Sequence, residues 1–161
     1  MAPDAAEMRA RIAAQPADKP WIVAEIDGNV AGYAYASAFR GRAAYRFGVE
    51  VGVYVSAGAR RRGAGLALYR ALLALLERQG YRRAFAGIAL PNDPSIALHR
   101  AAGFTEAGVV HAAGFKLDRW HDVAFYERAL APLDIPARGP LNIDELGASE
   151  VRAMFALNEA R

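Results

Sequence analysis

Apolar and polar positions change period along this chain, and the changes mark its elements. Met8 and Ile12 stand four apart in residues 4–14, the spacing of one helix face, and Pro16 and Pro20 stop that helix. Residues 21–26 (Trp-Ile-Val-Ala-Glu-Ile) predict a strand, Asp27-Gly28-Asn29 a hairpin turn, and Val30 to Ala38 the return strand with Gly32 as a candidate bulge. Val49 to Val55 predicts another strand. Leu66, Tyr69, Leu72, Leu73 and Leu76 then keep helical spacing up to Gln79, and Gly80 ends the helix. Arg83 to Leu90 predicts a strand parallel to 49–55, because a helical crossover joins them. Asp93 and Pro94 suit the cap and first residue of a helix that runs to Ala102 and ends at Gly103. Phe104 to Ala113 and Val123 to Leu130 predict a last pair of strands, joined by residues 114–122. The pattern is α/β (α+β): a mixed sheet with helices packed on it.

Composition narrows the chemistry. The 161 residues are 54% hydrophobic, enough for a substantial core. There is no apolar run of membrane-spanning length and no basic start followed by an apolar stretch, so neither a membrane partner nor a secretory signal is expected. Cysteine is absent, and His99, His111 and His121 lack ligand spacing, so no metal is expected. The net charge of +3 suits an anionic cofactor. It is not gathered into basic runs interleaved with aromatics, so nucleic acid is not an expected partner.

Arg60-Arg61-Arg62-Gly63-Ala64-Gly65 lies between the strand 49–55 and the helix that follows. A strand, a basic Gly-rich turn and a helix start make an anion site. Free N–H groups of the first turn point at a phosphate, the dipole favours negative charge, and arginines add charge-assisted donors. The turn is not a Walker loop, because no Gly-Lys-Ser/Thr follows. A dinucleotide fingerprint would need glycine where Leu68 stands. A solvated basic loop fits the same residues.

Further segments follow in a fixed order: Val53-Tyr54-Val55-Ser56, the arginine–glycine turn, Leu90-Pro91-Asn92-Asp93-Pro94-Ser95, His99-Arg100-Ala101-Ala102-Gly103-Phe104, Ala112-Ala113-Gly114-Phe115-Lys116 and Trp120-His121-Asp122-Val123. Over about residues 4–131 this set resembles the GNAT acetyltransferase superfamily, and within it the phosphinothricin and methionine sulfoximine/sulfone N-acetyltransferases. The resemblance implies a GNAT fold and acetyl transfer from acetyl-CoA to the amine of a small amino acid-like substrate, in a cytoplasmic homodimer. It implies cofactor contacts from Val53, Tyr54, Val55, Arg60, Arg61, Arg62, Gly63, Ala64, Gly65, Leu66, Asn92 and Ser95.

Glu50 is the candidate base. It is a carboxylate inside an apolar strand, where partial burial would raise its pKa towards neutrality, and the resemblance also places a catalytic-type glutamate there. His121 is a second candidate, for deprotonation or for holding an acidic group of the substrate. His99 stands where many members of the wider superfamily carry a tyrosine that protonates the leaving thiolate, so it is a third. Arg40, Arg42 and Arg46 offer bidentate contacts to a substrate carboxylate, with Tyr45 and Phe47 as walls; a solvated basic loop fits the same residues.

The superfamily opens with a strand and a long helix ahead of the helix expected at 4–14, and both are expected to be missing from the N-terminus here. Residues 132–161 read as a linker followed by strand, loop and amphipathic helix, with Ser149 as its cap and Met154 and Leu157 on its apolar face. This tail is expected to refill the sheet edge, in its own chain or in a partner; the alternative is a truncated gene with an ordinary C-terminal extension. The linker from Ala131 to Pro140 reaches about 35 Å at roughly 3.5 Å per residue. Two other function classes fit some of the same residues: an acyl-CoA-binding regulatory module without turnover, and a flavin- or nucleotide-binding α/β domain, against which Leu68 counts.

Overall fold

The computed structural model describes residues 3–136 and 138–159. Helix α1 spans Ala5–Ala13, with Asp4 accepting from the Glu7 amide at its start. Strands β1 (Trp21–Ile26) and β2 (Asn29–Ala38) form a hairpin whose turn residues, Asp27 and Gly28, both have positive φ (53° and 73°). Strand β3 (Gly48–Val55), helix α2 (Ala64–Gln79) and strand β4 (Arg83–Ala89) follow as a parallel crossover. Helix α3 (Asp93–Ala101), strands β5 (Thr105–Lys116) and β6 (Arg119–Ala129), and helix α4 (Ala148–Glu159) complete the described residues. The sheet order is β1-β2-β3-β4-β6-β5, antiparallel except between β3 and β4.

Alternation decides the two faces. Val49, Val51, Ala34, Ala36, Ala84, Ala86, Ala124 and Tyr126 point to one side and are buried, where α2 supplies Leu68, Tyr69, Leu72, Leu73, Leu75 and Leu76. The other face carries Glu50 and Tyr54 from β3 and their cross-strand partners Ser37 and Tyr33. Helix α1 overlies its outer end without burying any residue of its own.

Several sequence expectations shift. The register break lies between Ala24 and Glu25, where β2 carries Ala31 as the extra residue, so Gly32 is not the bulge. Gly32 instead allows close approach: a Cβ there would come 2.5 Å from the Tyr54 carbonyl oxygen and 3.2 Å from the Val55 Cα. Both are backbone atoms and cannot swing away. Gly32→Ala is therefore expected to cost about 1–3 kcal/mol of stability; a urea midpoint matching that of the unsubstituted protein would contradict this. Residues 114–122 are not a loop. The strands extend through them to a two-residue turn at Leu117 and Asp118, both with positive φ (53° and 57°).

The tail differs most from expectation. Residues 143–146 form a 3₁₀ turn, not a strand, because Asn142 and Glu145 close a capping box that favours a helical turn. Leu141, Ile143, Leu146, Val151 and Phe155 pack on the core beside α2, and Arg78 pairs with Glu150. The Leu141 amide donates to the Gln79 carbonyl (2.8 Å), and the buried Gln79 Nε2 donates to Leu141 (2.7 Å). Among the described residues of this chain no tail strand joins the β1 edge, and the packed apolar residues of the tail lie against α2 instead. Helix α4 begins at Ala148, which puts Ser149 inside its first turn. The side chains of Met154 and Leu157 lie outside the described residues.

Candidate active site

Strands β3 and β4 pair only over Gly48–Arg83, Val49–Ala84 and Glu50–Phe85. Beyond Glu50, β3 stays paired with β2 to Val55, and β4 stays paired with β6 to Ala89. The two parallel strands therefore splay, and the β4 side of residues 51–55 has no strand partner. The opening needs a guest that offers backbone-like hydrogen bonds.

Helix α2 starts at the mouth of this splay. Its cap, Gly63, is left-handed (φ 81°) and has no side chain to satisfy the first amides, while the Ala67 amide already bonds to the Gly63 carbonyl (3.0 Å). The amides of Ala64, Gly65 and Leu66 have no intrahelical acceptor. Nothing lies within 4 Å of a Cβ built on Gly63, so the approach is open, and Arg60, Arg61 and Arg62 stand exposed around it. Gly65 also has a packing task. Its Cβ would meet Leu98 at 3.1 Å and Val55 at 3.3 Å, so it lets α2 close on α3 and β3. Ala64 is buried, and Val53 and Leu66 are half-buried against the core. These residues suit a pyrophosphate at the helix start and an amide-bearing arm along β3, the donor set that coenzyme A requires.

Asn92, not Asp93, caps α3: its Oδ1 accepts from the Ser95 amide (3.3 Å). Its amide nitrogen stays available as a donor. Tyr54 presents its side chain to the opposite face from Val53 and Val55, stacked on Tyr33 at 5.1 Å. Only its backbone lies along the splay.

Glu50 occupies the last paired position before the splay. It is half-buried, and its Oε1 lies 3.8 Å from where a Cβ on Gly87 would be. No described side chain hydrogen-bonds its carboxylate, and burial pushes the carboxyl up from its ordinary value. Gly48, Gly52 and Gly87 flank it on the same face without side chains of their own, so Glu50 lies in a short trough closed by rings: Phe85, stacked on Phe39 (3.9 Å), fills the space over Gly48, and Tyr35 fills that over Gly52.

His121 reaches the C-terminal end of β4. Its Nδ1–H donates to the Leu90 carbonyl at 3.2 Å. Its Nε2 lies 3.1 Å from the Lys116 carbonyl and 3.3 Å from Arg119 Nε. A protonated Nε2 donates to Lys116, and a bare one accepts from Arg119, so either state keeps a partner.

His99 is a different case. It is 4% exposed, and its Nδ1–H donates to the Ser95 carbonyl (2.7 Å) while Tyr69 Oη donates to Nε2 (2.7 Å). Burial holds the imidazole below its ordinary pKa, so it is neutral. Both ring nitrogens already have partners inside the core, an arrangement that argues for packing over the expected acid role.

Of the loop residues, Arg40 sits over Phe39 (5.2 Å) and Tyr45 (5.8 Å), and the Phe47 carbonyl accepts from the Arg82 amide (2.9 Å). Arg42 is exposed ahead of a short 3₁₀ turn, Ala43–Tyr45. Tyr45, Phe47, Phe39 and Phe85 line a cavity of about 370 Å³ at the Gly48 end of the trough. Tyr35 and the glycines around Glu50 belong to no distinguishing motif in the sequence. The signal was present in the period-2 spacing of Tyr33, Tyr35 and Gly48, Glu50, Gly52, but nothing in one strand says which strand will lie beside it.

The sequence matches the acetyltransferase (GNAT) family model over residues 2–104. The chain belongs to the GNAT acetyltransferase family. It is 50% identical over 109 residues to a phosphinothricin N-acetyltransferase of Streptomyces viridochromogenes, covering 68% of this chain and 60% of that protein. It is 35% identical over 111 residues to an L-methionine sulfoximine/L-methionine sulfone acetyltransferase of Pseudomonas paraeruginosa, covering 69% of this chain and 64% of that protein. Among solved structures, a GNAT superfamily phosphinothricin acetyltransferase from Sinorhizobium meliloti, in complex with AcCoA, superposes with a TM-score of 0.76. It is 44% identical, with 86% of this chain and 75% of that chain covered. The chain thus spans less than two thirds of the length of these two sequence relatives. No described helix of this GNAT chain is long and apolar enough to cross a membrane.

Proposed function

We propose that this chain transfers the acetyl group of acetyl-CoA to the amine of a small amino acid-like substrate of the phosphinothricin, methionine sulfoximine or methionine sulfone type. The observation that carries this reading is a bare helix start opening onto the β3–β4 splay, with Glu50 at the point where the strands part. When bound, acetyl-CoA would supply the acetyl group as an activated thioester. Arg60, Arg61, Arg62 and the amides of Ala64, Gly65 and Leu66 hold its pyrophosphate. The free backbone of Val53, Tyr54 and Val55 holds its arm, with Asn92 and Ser95 across the opening. Glu50 takes a proton from the acceptor's ammonium group, directly or through a water, and its raised pKa suits that step. His121 exchanges a proton at Nε2 or orients the acceptor's acidic group. Arg40 and Arg42 bind a carboxylate, with Tyr45 and Phe47 beside them.

Residues 1–131 form the acetyltransferase unit in this reading, and 132–161 an extension packed on it. We also propose a cytoplasmic homodimer. The β5–β6 hairpin supports self-association, because it leaves Val110, Phe115, Leu117 and Trp120 exposed.

Release of free thiol from acetyl-CoA, followed by a colour reagent over a panel of amines, tests the activity. Turnover is expected with phosphinothricin, methionine sulfoximine or methionine sulfone. Tight acetyl-CoA binding with no turnover of any amine would favour the regulatory module. Changing Arg60, Arg61 and Arg62 together to Gln is expected to raise KM for acetyl-CoA about 10-fold or more, with kcat nearly unchanged. An unchanged KM for acetyl-CoA would remove the arginines from the cofactor site.

A further inference from the structure

Helix α1 lies over the outer end of the sheet without sealing to it. Beneath it the strands present a layer of four rings. Trp21 stacks with Tyr35 (4.8 Å) and Tyr33 (5.2 Å), and Tyr33 stacks with Tyr54 (5.1 Å). A helix that covered this layer as core would bury its apolar stripe. Met8 is only half-buried and Ile12 is 46% exposed. Between helix and sheet is a cavity of about 390 Å³, with Met8 and Arg11 above and the four rings below.

Tyr35 belongs to both this cavity and the Glu50 face. Its ring lies across Gly52, where a Cβ would come within 2.7 Å, and Gly52 is two residues from Glu50 on the same side of β3. A group held at Glu50 therefore has the ring-lined cavity directly beyond Tyr35. We propose that this cavity is the subsite for the acceptor's side chain, and that it selects amino acids with an aromatic or large apolar side chain.

The lining explains the selectivity. Flat aromatic faces gain most from a planar partner, and the Met8 thioether adapts to ring edges. Arg11 at the rim, ion-paired to Glu7 (2.5 Å), is close enough for its charge to act on Tyr33 and Tyr35. The inference rests on the acetyl-transfer reading for its chemistry, but the cavity can be probed without turnover.

The protein has two tryptophans, so Trp120→Phe leaves Trp21 as the sole tryptophan reporter. Titration of that variant with N-acetyl-L-phenylalanine is expected to give a saturable change in Trp21 emission. In parallel, Tyr33→Ala is expected to raise KM for L-phenylalanine about 10-fold with kcat nearly unchanged, to move methionine sulfone far less, and to be rescued by Tyr33→Phe. If Tyr33→Ala does not fold, Tyr33→Leu keeps an apolar group while removing the π face and gives the same comparison. A Trp21 response without turnover of any amine would keep the subsite and sink the acetyl-transfer reading. Turnover of methionine sulfone without a Trp21 response would overturn the subsite and leave acetyl transfer standing. Equal losses for every amine in the Tyr33 variants would overturn the selectivity.

Discussion

Glu50→Gln is expected to lower kcat by about 100- to 10,000-fold, the range for removal of a positioned general base. KM for acetyl-CoA should hardly move, because Glu50 lies on the sheet face opposite α2, and the proposed pyrophosphate contacts lie at the start of that helix. The change keeps shape and removes charge, so lost packing cannot explain the loss. Stability should move the opposite way. Burial raises the Glu50 carboxyl above its ordinary 4.5, so the folded state holds the proton more tightly than the unfolded chain does. The stability linked to the neutral form is complete below that ordinary value and is lost as pH rises through the raised one. At pH 7 the ionised carboxylate therefore costs stability, and Glu50→Gln should raise Tm there while changing nothing at pH values below 4.5. Thermal scans at both pH values, beside thiol-release kinetics, check the pair of signs. Full activity at neutral pH would end the assignment of Glu50 as base.

His99→Ala is expected to destabilise the fold by about 2–4 kcal/mol, from the cavity it leaves and from stranding the buried Tyr69 hydroxyl. Turnover measured well below the lowered Tm should fall less than about 3-fold, since nothing places the ring against the reacting atoms. A large kcat loss at unchanged stability would restore the acid role. The pH sign follows from the lowered pKa. A buried neutral imidazole contributes stability that is complete above its ordinary 6.5 and is lost as pH falls through the lowered value, because the unfolded chain takes up the proton first. Removing the imidazole should therefore shallow the acid limb of the stability curve, which urea titrations at pH 5 and pH 7.5 read directly.

Wherever strands and helices packed as their period dictated, they were legible in the chain. β1 falls at 21–26 as expected, and α2 buries Tyr69, Leu72, Leu73 and Leu76 as expected, adds Leu68 and Leu75, and leaves Leu66 half-buried. Errors gathered where two local preferences compete. Asn92 and Asp93 are both good caps, and the choice of Asn92 follows from where the chain leaves β4. Residues 114–122 contain glycine and charge like a loop, yet pairing with the facing strand holds them extended. The tail resembled a strand, but its capping box and the apolar surface of α2 outcompeted a sheet edge.

Sequence alone determined the class of fold and the family, and offered Arg60–Gly65 as an anion site, because periodicity and the order of Arg60–Gly65, Asn92, His99 and His121 are properties of neighbours along the chain. It also picked out Glu50, since a carboxylate in an apolar strand is conspicuous without coordinates. Only the tertiary structure separated Glu50 from His99. One is half-buried, without a side-chain partner among the described residues, where two strands part; the other is locked between Tyr69 and Ser95 inside the core. Side-chain identity does not carry that difference. It depends on which residues of distant segments arrive beside each group, and on whether they leave water, an unpaired backbone or a hydrogen-bond partner there.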